Sequence, residues 1–365
     1  MILLIVIITL FVLAVYYFIN QPKFGKAPSG DRMERIRQSP HFKNNRFQNL
    51  SNTPALSEGV SYYAVMKEFF FEKKERKYPK EKLPSVKTDL KNLNPTEDIL
   101  VWFGHSSYFM QIDGTKILVD PVLSGSASPV KFTTRSFNGT DIYTTDDLPE
   151  IDYLFITHDH WDHLDHDTLI RLRLKVKKVI TGLGVGAHLE AWNYEAEKIV
   201  EADWNDELKL EKSFTVHAAP ARHFSGRGLT RNGSLWMSYV VITPKFRFYL
   251  GGDSGYDHHF KKIGAQFGPF DLVILENGQY DKSWKYIHMM PEQVVQAAED
   301  LQSKKLFPVH WSKFSLSNHA WDEPMIRLMK EANKKNMPVL DPIIGSKVNL
   351  RDTITKTSLW WEHVK

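Results

Sequence analysis

The stretch THDHWDHLDHD, residues 157–167, places four histidines and four aspartates in eleven positions. It overlaps the end of the run YLFIT at 153–157, whose composition predicts a β-strand. His158 and His160 are two residues apart, so extended backbone directs both side chains to one side. We expect a turn into a helix to bring Asp162 and His163 to the same pocket. This spacing favours a metal site over the alternative, a solvated turn rich in His and Asp.

Three further residues of metal-binding type follow predicted strands in the same way. His223 follows FTVHAA at 214–219, Asp253 follows FRFYLGG at 246–252, and His310 ends KLFPVH at 305–310. The chain has no cysteine, so disulfides and thiolate ligands are excluded, and a metal site must use imidazole and carboxylate. Because each of these strands ends near one such residue, we expect them to converge on a site for two metals of zinc type.

The distribution of strands and helices predicts the fold class. From residue 99 onward, short β-type runs are bounded by Gly, Pro, Asn or Asp. Helical patterns lie between and after them, including PEQVVQAAEDLQ at 291–302 and EPMIRLMKEANKK at 323–335. Strands that dominate the middle of the chain, with helices at intervals, predict an α/β (α+β) sandwich of two packed sheets with helices outside.

The first 19 residues, MILLIVIITLFVLAVYYFI, contain no charged side chain. As a helix they would span about 28 Å, close to the hydrocarbon thickness of a bilayer. We predict a single transmembrane anchor at 1–19. The alternatives are a signal peptide, which would need a positive start and a small-residue cleavage site, and a core helix, which usually has a polar stripe. The basic residues that follow place the rest of the chain in the cytoplasm by the positive-inside rule.

Residues 20–92 are predicted to form a basic linker that leads into the main domain at 93–365. They hold sixteen Lys and Arg against eight Asp and Glu, together with six prolines. The rest of the chain holds thirty-one Lys and Arg against thirty-five Asp and Glu, which argues against a nucleic-acid groove in the main domain. Beside a membrane, the basic segment would be attracted to anionic lipid.

The motifs as a set resemble those of the metallo-β-lactamase superfamily of dinuclear metal hydrolases. The order His-x-His-x-Asp-His, then His223, Asp253 and His310, is similar to the superfamily pattern. One branch is more similar, the N-acyl-phosphatidylethanolamine-hydrolysing phospholipase D and its bacterial relatives. It is resembled by VWFGHSSYFMQIDGTKILVDPVLSGSASP, DDLPEIDYLFITHDHWDHLD, GGDSGY, HMMPEQVV and PVHWSKF. The resemblance covers about residues 90–345 and implies an αββα sandwich with the site at the sheet edges.

The resemblance also implies a ligand set and a nucleophile. Two zinc ions, or alternatively iron or manganese, would share seven ligands: His158, His160 and His223 on one, Asp162, His163 and His310 on the other, and Asp253 between them. The two cations would lower the pKa of a bridging water and so provide a hydroxide at neutral pH. In this scheme Asp162 is also catalytic, because it orients the nucleophile.

Further residues are expected to support the chemistry. His288 resembles a family residue near the scissile group and would contact the phosphate or protonate the leaving alkoxide. The alternative for His288 is a loop histidine that precedes the helix at Pro291. His105, Asp120 and His166 are expected to orient the metal ligands from a second layer.

The expected function is a membrane-anchored phosphodiesterase of phospholipase D type that acts on N-acyl phosphatidylethanolamine or a similar phospholipid. At two positions near the headgroup side the chain differs from the branch: Ile287 stands in place of a glutamine and Gly226 in place of a lysine. The alternatives are a metal-dependent hydrolase of another ester, such as a lactone or sugar-phosphate derivative, and a non-catalytic metal-binding sensor. The expected partners are phospholipid and membrane, without nucleic acid, and a homo-oligomer is left open.

Overall fold

The N-terminal helix α1 (Ile2–Ile19) has no buried residue. The structure is a computed structural model that describes residues 1–72, 74–352 and 357–365. In it, α1 is long and apolar enough to cross a membrane, with a mean hydropathy of 3.0. Because the helix is exposed along nearly all of its length, the alternative of a buried core helix is excluded.

The segment predicted as a basic linker packs against the main domain. It contains α2 (Gly30–Gln38), β1 (Phe42–Lys43), β2 (Arg46–Phe47) and α3 (Tyr62–Phe71). The side chains of Ile36, Phe47 and Leu83 are fully buried in the same hydrophobic core as the strands of the main domain. The segment therefore contributes to the stability of the domain, and a division of the chain at residue 92 stays a prediction.

The main domain alternates strands and helices in the order that the sequence predicts. Its elements are β3 (Ile99–Trp102), β4 (Tyr108–Ile112), β5 (Thr115–Val119), β6 (Ile151–Phe155), α4 (His166–Leu172), β7 (Val176–Gly182), α5 (Gly186–Ala191), β8 (Ile199–Ala202), β9 (Glu207–Lys209), β10 (Thr215–Ala219), β11 (Ser238–Ile242), β12 (Arg247–Leu250), α6 (His259–Phe267), β13 (Leu272–Glu276), α7 (Pro291–Asp300), β14 (Leu306–Val309), α8 (Glu323–Lys335) and β15 (Lys347–Asn349).

Two sheets pack face to face, and helices cover their outer sides. The strand order is β15-β3-β4-β5-β6-β7-β8 in one sheet and β14-β13-β12-β11-β10-β9 in the other. Alternate residues of β6 show the layers: the ring of Phe155 lies 5.0 Å from that of Tyr239 in the opposite sheet, whereas Leu154 packs in a second core with Leu169 of α4. The predicted α/β sandwich with outer helices is confirmed.

Strand direction decides where the connecting loops emerge. Strands β5 to β8 are parallel, as are β12 to β14. Strand β10 also runs in the direction of β12, because both are antiparallel to β11 between them. The carboxyl ends of β10, β12 and β14 therefore share one edge of their sheet, and the loops that follow them emerge together.

Replacement of Leu154 by alanine should lower the free energy of unfolding by about 2–5 kcal/mol, because it removes a buried side chain from a packed core. Leu154 is fully buried, whereas Leu174 is 78% exposed. The matched variant Leu174→Ala should therefore change stability by less than about 0.5 kcal/mol. Denaturant unfolding of both variants measures the difference. Equal stabilities would contradict the placement of Leu154 in the core.

Candidate metal centre

The loop that follows β6 carries four of the predicted ligands. The Nε2 atom of His158 lies 2.9 Å from Nδ1 of His160. Asp162 and His163 lie in a turn that precedes α4, which begins only at His166. The chain turns into a helix as expected, and the helix begins three residues after His163. Asp165 is the N-cap, and its carboxylate accepts a hydrogen bond from a backbone N–H of the first turn, which starts the helix after the ligands.

The first group of donor atoms consists of three imidazoles, from His158, His160 and His223. The Nε2 atom of His223 lies 3.2 Å from Nδ1 of His160. The Nδ1 atom of His223 donates to the carbonyl of Ile287 at 2.9 Å, which leaves Nε2 with a free lone pair. Burial lowers the pKa of all three rings. Burial thus favours the neutral form of these rings, which is the form that binds a metal.

The second group contains Asp162, His163 and His310. One ligand atom from each of these residues, and one from His105, lie within 4.8 Å of one another. Burial disfavours the ionised form of Asp162, but the nearby His163 and His105 outweigh this effect and hold the pKa of the carboxyl well below its usual value. The group therefore offers an ionised carboxylate together with imidazoles.

Asp253 lies between the two groups, at the end of the glycine-containing turn that follows β12. Its Oδ2 atom is 3.2 Å from Nε2 of His163 and 3.8 Å from Nε2 of His223. Its Oδ1 atom is 3.2 Å from Nδ1 of His310. One carboxylate thus reaches members of both groups, which is the position that a bridging ligand requires.

The donor atoms fit a pair of metal ions better than they fit one another. Three imidazole nitrogens converge at the first group, and neutral rings cannot supply a donor for every such contact. Among the described residues, Nε2 of His163 and Oδ1 of Asp253 are buried without a hydrogen-bond partner. Neutral imidazole and ionised carboxylate are the ligand types of zinc and of related divalent ions. The cluster is therefore compatible with a dinuclear site.

Two of the three residues expected in the second layer contact ligands directly. His105 lies 2.9 Å from Asp162, between Nε2 and Oδ2, and Asp120 Oδ2 accepts from Nδ1 of His163 at 2.8 Å. His166 does not belong to this layer. Its hydrogen bond is to Asp167 and its ring packs against Trp192, and no hydrogen bond in the described part of the chain joins it to a predicted ligand, because it lies on α4 beyond the turn.

Glu276 is a candidate site residue that the sequence analysis missed. It ends β13 and is fully buried. Its carboxylate accepts from Nδ1 of His288 at 3.2 Å and from the backbone N–H of Met289 at 2.6 Å. Burial raises the pKa of Glu276 to about 7. The missed signal was DLVILE at 271–276, another apolar strand that ends in a polar residue.

A cavity of about 600 Å³ opens beside the donor atoms. His160, Asp162, His223, Asp253, His288 and His310 all contribute to its wall. The remaining wall is mixed: apolar side chains such as Leu56, Phe224, Trp284 and Leu316 alternate with polar ones, including Arg46 and Arg231. A pocket of this kind can accept a ligand that has both an anionic group and an apolar part.

The glycine at position 226 is required by the local backbone. Its φ is 143°, and a Cβ atom there would lie 2.8 Å from the carbonyl oxygen of Thr230. Its N–H donates at 2.6 Å to Asp159, the buried residue between His158 and His160. A lysine in place of Gly226 would therefore be strained, which explains one of the two departures from the branch.

Comparison with known proteins identifies the family. The model of the Beta-lactamase superfamily domain matches residues 115–311. The chain belongs to the metallo-β-lactamase superfamily. A solved metallo hydrolase of Ignicoccus hospitalis has a similar fold, with 20% identity and a TM-score of 0.55 over 69% of this chain and 98% of that one.

Two curated relatives extend the superfamily match along the chain. An uncharacterised protein of Mycobacterium tuberculosis is 36% identical over 89% of this chain and 88% of its own length. The N-acyl-phosphatidylethanolamine-hydrolyzing phospholipase D 1 of Caenorhabditis elegans is 30% identical over 65% of this chain and 73% of its own length. The family expected from the motifs is confirmed, and the protein is a metal-dependent hydrolase of this superfamily.

The position of Asp253 predicts the metal content of a variant. Metal analysis of the purified protein should give about two divalent ions per chain, and Asp253→Asn should give one or fewer, since it removes the carboxylate shared by both groups. His217→Ala is the matched control, because His217 lies on β10 and pairs with Glu207 instead. Two tightly held ions in folded Asp253→Asn would contradict the bridging position.

Proposed function

We propose that the protein is a membrane-anchored dinuclear zinc phosphodiesterase of phospholipase D type, acting on N-acyl phosphatidylethanolamine or a closely related phospholipid. The observation that carries the proposal is the position of Asp253 between two ligand groups, in the wall of a cavity that is partly apolar and partly basic. The similarity to the Caenorhabditis elegans phospholipase supports the substrate class. The residue roles given below are part of this proposal.

His158, His160 and His223 would hold one ion, Asp162, His163 and His310 the other, and Asp253 both. Ions bound there would supply Lewis-acid chemistry, which neutralises charge on the phosphoryl oxygens and makes water a stronger acid. Asp162 lines the cavity, and its carboxylate would orient the attacking water. His105 holds that carboxylate from behind at 2.9 Å. In the reaction a P–O bond to water forms, and the P–O bond to the N-acylethanolamine breaks.

In this proposal His288 would serve the leaving group. Its Nδ1 atom is engaged by Glu276, so Nε2 is the ring nitrogen that remains for a partner in the cavity. Burial opposes protonation of His288, but Glu276 outweighs it and raises the pKa of the ring. A proton from His288 would pass to the alkoxide as the P–O bond breaks. Glu276 would act as a positioning residue that fixes which nitrogen faces the substrate.

The helix α1 would be a retained anchor with the catalytic domain on the cytoplasmic side. Its 18 residues carry no charge and none of them is buried, and the segment after it is rich in Lys and Arg, which the positive-inside rule assigns to the cytoplasm. An anchor of this kind raises the effective concentration of a lipid substrate near the site. The substrate proposal and the anchoring proposal therefore support each other.

Hydrolysis of the lipid is the direct test of the substrate. The purified full chain in detergent micelles should release phosphatidic acid from N-acyl phosphatidylethanolamine. The turnover rate of Asp253→Asn should be lower by a factor of at least about 10². Mass spectrometry of both products measures the reaction. Turnover of a soluble lactone by an enzyme that leaves the lipid intact would overturn the phospholipase assignment and favour another ester.

A comparison of two substrates with different leaving groups tests whether His288 donates a proton or has only a structural role. Glu276 accepts two hydrogen bonds, whereas glutamine offers one acceptor and one donor group, so Glu276→Gln should misorient His288. Turnover of the lipid should fall by about 10²-fold, but that of bis(p-nitrophenyl) phosphate by less than about threefold, because nitrophenolate leaves without protonation.

The matched control for this comparison is Glu299→Gln, a surface glutamate paired with Lys335 at 2.8 Å. It should leave both rates unchanged. An equal loss of both activities in Glu276→Gln would show that Glu276 supports the site only structurally.

A further inference from the structure

The segment that follows α1 is fastened directly to the loops of the metal centre. The carbonyl of Pro22 accepts from the indole of Trp192 at 2.7 Å, and that of Lys23 accepts from Arg227 at 2.9 Å. The ring of Phe24 packs edge-on against Trp161 at 5.1 Å. Trp161 lies between the predicted ligands His160 and Asp162. The end of α1 is therefore held beside the metal site and is not joined to the domain by a flexible linker.

Two loops, which we call the rim loops, flank this fastened segment. The first is residues 128–134, where the carbonyl of Pro129 accepts from the ammonium group of Lys23 at 2.6 Å. The second is residues 224–232, which contains Arg227. Each rim loop carries one strongly exposed apolar side chain: Phe132 is 73% and Leu229 is 86% exposed. A single exposed Leu needs no explanation, but here both side chains lie on loops that contact Lys23, four residues after the end of an exposed apolar helix.

The second rim loop also forms part of the cavity. It begins directly after the predicted ligand His223, and its residues Phe224 and Arg231 line the cavity. The guanidinium group of Arg231 lies 5.0 Å from the centre of the Phe224 ring. One loop thus connects a metal ligand, the cavity wall, an exposed leucine and the end of α1. The cavity opening and the end of the helix must share one face of the domain.

We infer that this face lies on the membrane, with Phe132 and Leu229 of the rim loops inserted in the lipid interface beside α1. The inference rests on the proposed anchor, since a helix that spans the bilayer fixes how far the segment packed against it lies from the membrane surface. Exposed apolar tips close in sequence to basic side chains, such as Arg231 beside Leu229, are typical of surfaces that bind anionic lipid. The cavity then opens toward lipid, so a phospholipid headgroup can enter while its acyl chains stay in the bilayer.

The absence of native cysteine allows a direct test of this surface. Full-length Phe132→Cys, Leu229→Cys and Leu174→Cys variants are each labelled with an environment-sensitive fluorophore and reconstituted in vesicles of phosphatidylethanolamine and phosphatidylglycerol. Leu174 is the matched control, because it is 78% exposed and precedes β7 at the sheet edge opposite the metal centre. Iodide, present on both sides of the membrane, reports water, and a nitroxide-labelled lipid reports the bilayer.

Labels at positions 132 and 229 should be quenched by the nitroxide lipid and lose most of the iodide quenching seen at position 174. Iodide quenching equal to that of position 174 would overturn the inference. Protection from iodide without quenching by the nitroxide lipid would also overturn it, since it would indicate a second copy of the chain. If the protein does not float with the vesicles, the anchor proposal fails too. The hydrolase proposal is tested separately in micelles.

Discussion

The structure depends on holding seven side chains of metal-binding type close together at one edge of the sheets. Asp253 is at the centre of this constraint, because its two oxygens face imidazoles of both ligand groups. The surrounding protein fixes three of the other predicted ligands from behind: His105 contacts the carboxylate of Asp162, Asp120 accepts from His163, and the carbonyl of Ile287 accepts from His223.

The backbone around the site is strained to the same end. His105, Asp120, Gln279 and His310 all have positive φ, between 40° and 67°. Such left-handed conformations cost non-glycine residues energy, and they persist only where the surrounding packing determines them. Here two sheets with both faces buried provide that packing. The strands thus contribute to the site in two ways. Their direction brings the loops together at one edge of the sheets, and the packing of the two sheets offsets the backbone strain in the loops.

Much of this arrangement could be predicted from the sequence, because both the fold and the ligand positions are local signals. Short apolar runs identify the strands, and His223, Asp253 and His310 lie at or just after strand ends. Glu276 shares that signal and was missed, since its role depends on His288, which lies twelve residues away in sequence. His166 was expected to orient the predicted ligands, but it lies on α4 after the N-cap Asp165, and its contacts are with Asp167 and Trp192.

Long-range contacts were beyond prediction, and they change the meaning of the N-terminal segment. Its basic surplus is partly neutralised within the protein, since Arg32 pairs with Glu190 and Glu201 at 2.7 and 2.8 Å. From composition alone, these positive charges were expected to interact with anionic lipid. Arg35 likewise donates to the backbone carbonyl of Glu201.

These contacts affect the orientation of α1. An arginine that binds the domain fixes the orientation of α1 relative to the metal centre, whereas an arginine that binds lipid only attracts the chain to the membrane surface. Arg227 extends this orientation to the site itself. It donates to carbonyls of Lys23, Asp159 and Leu164 and lies 4.0 Å above the ring of Trp161. Lys23, which follows α1 by four residues, and the loop that bears the predicted ligands are thus held by one buried guanidinium group.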